Sequence, residues 1–411
     1  MTRLERDDAY LRSFESVLET ARQDDRGGWW RLRESAFYAT GGGQPHDEGT
    51  LALEGAQPDT RRWRVAEVEA DDAGVWHRVT PEPSGDDTAL DATIPVAGTA
   101  LRGEIDWPRR FAHMQRHTAQ HLVSQAFVRL NSTFGTRAVA LGSADVTLDL
   151  AGEPDEAAVA EAFALVNQVA AQALPIEAFE VDEAELRRYP LRRPAKVRGR
   201  VRLVRMGDWE VSACGGTHLR STAEALPILS LGRERIRGGL VRITFRAGLE
   251  AIARASATQA AAAAAARSLS TSVDALPERV LALQEEAAGA RRTLAHARQA
   301  LAAARAQALA PTAGGVVAVL LTAEEAPLIT DLADALAARG VSAVVGAPQG
   351  DKGALVLTSG AGVDVRPALR AGLAELDGRG GGKPERAQGA GPARDRLEAA
   401  VQAAAHVLED M

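Results

Sequence analysis

Eight histidines occur in the 411 residues, at positions 46, 77, 113, 117, 121, 218, 296 and 406, and three of them stand four residues apart. If their segment is helical, His113, His117 and His121 share one face, because residues i and i+4 stack along a helix. The only cysteine lies in Cys214-Gly215-Gly216-Thr217-His218, a spacing that lets a thiolate and a further imidazole converge on one ion. Its two glycines free the backbone to wrap that ion. Nitrogen and sulfur donors together point to zinc. Spacing alone admits two helical pairs, His113/His117 or His117/His121. The stretch His117-Thr118-Ala119-Gln120-His121 lacks the glutamate general base of a His-Glu-x-x-His metalloprotease, so peptide hydrolysis is disfavoured.

Those donors need elements to position them. From Pro108 onward Phe111, Met114, Thr118, Leu122, Gln125 and Ala126 recur at helical spacing, Val146 to Leu150 alternates as a strand, and a second helix runs from Pro154 to Leu174. This order predicts an α+β domain over residues 106–248. Residues 1–105 form a β-rich N-terminal domain, with short runs such as Trp63-Arg64-Val65 and Gly74-Val75-Trp76 and a turn cluster at Pro81 to Gly85. Alanine dominates residues 249–310. There Val280, Leu283, Ala287, Ala290, Leu294, Ala297, Leu301 and Ala304 form an a/d seam, and Asp274 with Pro277 marks a helix start, predicting an antiparallel helical hairpin or coiled coil. Residues 311–411 read as a C-terminal α/β domain: strand 315–321, helix 324–339, strands 341–346 and 354–359, helix 365–376, a glycine loop and helix 394–408. The fold class is therefore α+β multidomain.

Composition narrows the function classes. Charged residues are 25% and hydrophobic ones 46%, and 55 acids against 48 bases give a net charge of −7, which excludes a globally basic nucleic-acid binder but not a local patch. Such a patch is present. Between Arg187 and Arg205 stand nine basic residues, at 187, 188, 192, 193, 196, 198, 200, 202 and 205, and no acid. One cysteine excludes an intramolecular disulfide and every multi-cysteine zinc site. Met1 to Ala21 carries Arg3, Glu5, Arg6, Asp7 and Asp8 in place of an apolar leader, and no uninterrupted apolar run reaches the ~20 residues of a membrane span. A cytoplasmic protein without membrane contact is expected.

In this order the motifs resemble one family, the editing domain of alanyl-tRNA synthetase and its free-standing AlaX-type relatives. The stretches that carry the resemblance are Phe37-Tyr38-Ala39-Thr40-Gly41-Gly42-Gly43-Gln44-Pro45-His46-Asp47-Glu48-Gly49, Arg116-His117-Thr118-Ala119-Gln120-His121-Leu122 and Ser212-Ala213-Cys214-Gly215-Gly216-Thr217-His218. A fourth, from Gly378 to Gln388, is similar to the glycine-rich loop of the DHHA1 domain. The resemblance selects the His117/His121 pair and so implies zinc held by His117, His121, Cys214 and His218. It implies a trans-acting hydrolase that removes serine or glycine wrongly esterified to alanine tRNA. Met1 opens directly on the β-rich segment, so the chain is not expected to charge tRNA itself.

Around the ester, Gly42, Gly43 and Gln44 are expected to offer backbone N–H groups and an amide, with Gln120 alongside and Thr40 and Thr136 as hydroxyls able to sense a serine side chain. Two departures stand out: Thr136-Arg137-Ala138-Val139 has alanine where the family usually has threonine, and Arg220 to Leu226 replaces common glycines. Arg192, Arg193, Lys196 and Arg198 are expected to meet acceptor-stem phosphates, and Arg379, Lys383 and Arg386 to make a second tRNA contact. The C-terminal half is a candidate homodimer surface. Two other readings compete: a threonyl-tRNA-type editing enzyme, and a nonenzymatic zinc-stabilised RNA-binding adaptor.

Overall fold

The first strands alternate buried and exposed side chains, as in Arg62–Asp71, where Trp63, Val65 and Val68 point inward. The change of parity between Val65 and Val68 falls at a bulge, which inserts one residue and turns the following side chains over. In this computed structural model, which describes residues 2–55, 62–82, 95–193, 199–360 and 362–411, six such strands close into an antiparallel barrel. Round the barrel run Ser13–Asp24, Gly27–Leu32, Gly74–Pro81, Arg62–Asp71, Gly49–Leu53 and Ala100–Ile105, the last pairing back to the first. Closure leaves no edge strand and buries Trp30, Phe37, Trp63 and Leu101 inside.

Asp106 accepts a hydrogen bond from the Arg109 backbone N–H and Pro108 occupies the first turn, so the helix Trp107–Leu130 starts as the barrel ends. It packs with the helix Glu156–Ala171 on a four-stranded antiparallel sheet ordered Ile228–Ile236, Leu240–Ala247, Val146–Leu150, Thr136–Ala140. A second antiparallel sheet, Ile176–Asp182, Arg200–Met206 and Glu210–Ala213, carries the strand that leads into Cys214. Barrel and sheets belong to one compact unit, Met1–Ala262; the other is Ala263–Met411.

In the second unit a five-stranded sheet runs Val316–Leu320, Ser342–Gln349, Lys352–Thr358, Arg386–Gly391, Arg379–Lys383, with only the first pair parallel. Alternation splits its core. Val317, Val319 and Val345 face the helix Ile329–Ala338 with Ala302 and Ala306, while Val316, Val344 and Leu357 face the helices Arg366–Glu375 and Leu397–Glu409. The glycine loop expected between the last two helices is instead the hairpin Arg379–Lys383 and Arg386–Gly391. Glycine permits it: a Cβ on Gly380 would lie 2.4 Å from the Gln388 carbonyl oxygen, and one on Gly391 2.1 Å from that of Leu376. The alanine-rich stretch gives the helices Gly248–Ser268 and Leu276–Ala308, and the a/d residues Val280, Leu294 and Leu301 remain 43%, 51% and 56% exposed. No helix among the described residues is long and apolar enough to cross a membrane.

Candidate metal centre

His117 and His121 project from one side of the helix Trp107–Leu130, and the turn after Glu210–Ala213 brings Cys214 and His218 against them. The Cys214 sulfur lies 3.4 Å from His117 Nε2 and 3.2 Å from His218 Nε2, and one donor atom from each of the four residues lies within 4.8 Å of the others. A tetrahedral zinc with ordinary Zn–S and Zn–N bonds holds sulfur and nitrogen about 3.5 Å apart, close to the two Cys214–histidine separations. His113, the third member of the i, i+4 series, is buried outside this group.

Each imidazole is held by its other nitrogen. His117 Nδ1 meets Gln44 Oε1 at 2.8 Å, His218 Nδ1 meets the Thr118 hydroxyl at 3.2 Å, and His121 Nδ1 meets the Glu210 carboxylate at 3.2 Å. Such partners select the tautomer whose Nε2 is free to ligate. Close approach is essential here too, since a Cβ on Gly216 would stand 2.2 Å from the His117 ring.

The electrostatics suit a cation. Burial would raise the Cys214 thiol, but the His117 and His218 imidazoles beside it hold it well below the ordinary thiol value. Burial drives His218 down to about 3, against the pull of Cys214. Burial alone would also lower His121; Glu210 and Cys214 outweigh it and raise this group to about 9. A thiol lowered in this way gives up its proton to a metal at less cost.

His117, His121 and Cys214 open onto a cleft of ≈ 540 Å³. The expected pocket residues take different places around it. Gly42, Gln120 and Thr136 line it, and the Gln120 amide and Thr136 hydroxyl both donate to the Ser124 oxygen, at 2.9 and 3.0 Å. Thr40 stands at the rim, its hydroxyl 3.1 Å from His46 Nδ1. Gly43 completes a turn in which Gly41 and Gln44 exchange backbone hydrogen bonds, so the Gly41 and Gln44 N–H groups are spent locally. Gln44 is wholly buried: besides holding His117, its Oε1 accepts from the Thr217 N–H and its Nε2 donates to the Thr217 hydroxyl.

The basic block divides. Arg192, Arg193 and Arg200 all line the cleft with Arg3 and Arg6, but the Arg192 side chain is only 9% exposed and donates to Glu210 at 2.6 Å. Acids absent from the block itself come from the neighbouring strand: Glu177 lies across from Arg205 and Glu180 pairs with Arg200. Lys196 and Arg198 lie outside the described residues. In the second unit Arg379 and Lys383 are exposed on the outer hairpin strand, and Arg386 pairs with Asp334 at 2.9 Å.

Thr118 and Glu210 escaped the sequence reading as site residues, and Arg202 entered it only as one of the nine bases of the block. Arg202 donates to the carbonyls of Cys214 and Gly216 and shapes the ligand turn from behind. A period-of-two reading back from Cys214 would have found Ser212 and Glu210.

Residues 201–244 match the family described as the threonyl and alanyl tRNA synthetase second additional domain, and residues 314–410 match the DHHA1 domain. The alanine–tRNA ligase of Methanothrix thermoacetophila is 30% identical over 391 residues, covering 90% of this chain and 41% of that protein. Its counterpart in Pyrobaculum neutrophilum is 32% identical over 396 residues, covering 93% and 42%. The chain thus spans about two fifths of the length of these relatives. The C-Ala domain from Aquifex aeolicus alanyl-tRNA synthetase aligns with 23% of this chain and 90% of its own, at 26% identity and a TM-score of 0.21.

Proposed function

We propose that this chain, which belongs to the AlaX-like proteins derived from alanyl-tRNA synthetase, deacylates alanine tRNA mischarged with serine, or with glycine, in a zinc-dependent reaction. The observation that carries the reading is one cleft in which a three-histidine, one-cysteine cluster adjoins a polar floor and an arginine-lined wall. His117, His121, Cys214 and His218 would hold zinc, whose Lewis acidity polarises an ester carbonyl or a flanking hydroxyl.

The chain's own residues supply the rest. Arg193, Arg200, Arg3 and Arg6 attract the phosphates of the acceptor end, an attraction that weakens with salt. The Gln120–Ser124–Thr136 floor offers hydrogen-bonding partners to a serine hydroxyl that alanine lacks. The Gly41–Gln44 turn closes one side of the cleft, held by the Tyr38 hydroxyl donating to the Gly41 carbonyl.

The test is metal analysis together with deacylation of alanine tRNA charged with serine, glycine or alanine, and of threonine tRNA charged with serine, before and after zinc removal. The expected result is one zinc per chain and zinc-dependent hydrolysis of the serine and glycine esters of alanine tRNA. Hydrolysis confined to threonine tRNA would support the threonyl-type alternative. Binding of tRNA with esters decaying at their spontaneous rate would support the adaptor.

A further inference from the structure

Side chains alternate along a strand, so in the run from Glu210 to Cys214 residues 210, 212 and 214 project to the same side. Cys214 thereby reaches the histidine cluster while Glu210, two pleats earlier, reaches behind it. The Glu210 side chain is 1% exposed, and three donors converge on it. His121 Nδ1 lies 3.2 and 3.3 Å from its two oxygens, Arg192 Nε donates at 2.6 Å, and the Ser212 hydroxyl donates to the same oxygen as Arg192. A carboxylate stripped of water is costly unless donors of this kind replace its hydration. Here they do, in the His121 ring, the Arg192 guanidinium and the Ser212 hydroxyl.

We infer that Glu210 is a positioning residue of the metal centre: it fixes His121 with Nε2 toward the cluster and ties the Arg192 guanidinium, at the wall of the cleft, to itself rather than leaving it free for a phosphate. An imidazole has only two ring nitrogens, so a carboxylate on Nδ1 decides which one ligates. The inference rests on the zinc reading above and separates two adjacent arginines. Arg192 belongs with the metal; Arg193, exposed toward the cleft, belongs with the substrate.

Chelator competition on the full-length, zinc-loaded protein tests this. Glu210→Gln, which leaves one amide oxygen for donors that two carboxylate oxygens now serve, should surrender zinc about 10–100-fold more readily than wild type. Arg192→Gln should shift retention the same way by a smaller factor, and Arg193→Gln should retain zinc as wild type does while binding tRNA more weakly. Cobalt substitution supplies a second readout: Glu210→Gln should change the visible spectrum and Arg193→Gln should not. If Glu210→Gln fails to fold, the contrast between Arg192→Gln and Arg193→Gln still decides. Wild-type zinc retention in Glu210→Gln, or equal retention in the two arginine variants, overturns the inference while leaving the zinc reading standing. A wild-type protein that takes up no zinc overturns both.

Discussion

Gly42 and Gly43, beside the metal centre, hold φ angles of +58° and +88°, and a Cβ on Gly42 would meet nothing within 4 Å. Gly380 in the second unit needs no such backbone conformation, yet its Cβ would strike the Gln388 carbonyl oxygen at 2.4 Å and Leu373 Cδ1 at 2.9 Å. One run is glycine because of a dihedral, the other because of a neighbour. The units differ also in their histidines. His77 and His113 are buried in the first, whereas His296 and His406 in the second are exposed. A glycine run or a histidine thus carries no fixed meaning in a sequence; its surroundings decide which physical demand it answers.

Acid should separate the units most strongly. Burial lowers His77 to about 4 and His113 to about 3, from 6.5 when unfolded. Below pH 6.5 the unfolded chain therefore binds protons that the folded first unit refuses, so its stability falls as pH falls, until the folded values are reached. The slope grows from half its full value at pH 6.5 toward about 1.4 kcal/mol per pH unit per group, so the two histidines together remove about 3 kcal/mol between pH 6.5 and pH 5. If the cluster holds zinc as proposed, protonation of its ligands acts in the same direction. Calorimetry at the two pH values should show the first unit's transition moving down well before the second's, and equal shifts in both would erase this contrast. The next largest effect belongs to Gly380→Ala. Forcing a methyl against backbone at 2.4 Å should cost the second unit about 3 kcal/mol and leave zinc content untouched. A loss that spreads to the metal centre would show the two glycine runs to be coupled.

Much of this molecule was legible beforehand because its signals are local. The strand Val146–Leu150 and the helices around the histidines follow from periodicity within a dozen residues, and the i, i+4 spacing of His117 and His121 already puts them on one face. What stayed hidden depends on partners distant in the chain. Nine basic residues with no acid among them look like a phosphate-binding surface, but Glu177 and Glu180 arrive on the adjacent strand and Glu210 turns Arg192 inward. Gly378 to Gln388 reads as a loop by composition; its second strand pairs with Lys352–Thr358, a contact that no window around the glycines contains. Gln44 shows the same limit, since its partner His117 lies 73 residues away.

The smallest effect is the sharpest on the dihedral side of the comparison. At Gly42 the space around a new Cβ is open, so Gly42→Ala can lose stability only through the left-handed backbone, a cost of about 1–2 kcal/mol for an L-residue. Asparagine tolerates that conformation better than alanine, so Gly42→Asn should lose less than Gly42→Ala although its side chain is larger. At Gly380 the order must reverse, because there the larger side chain meets more backbone. Denaturant unfolding of the four variants reads both orders directly. Were alanine better tolerated than asparagine at both positions, volume would govern both runs. The turn that carries Gln44 to His117 would then owe nothing to its positive φ angles.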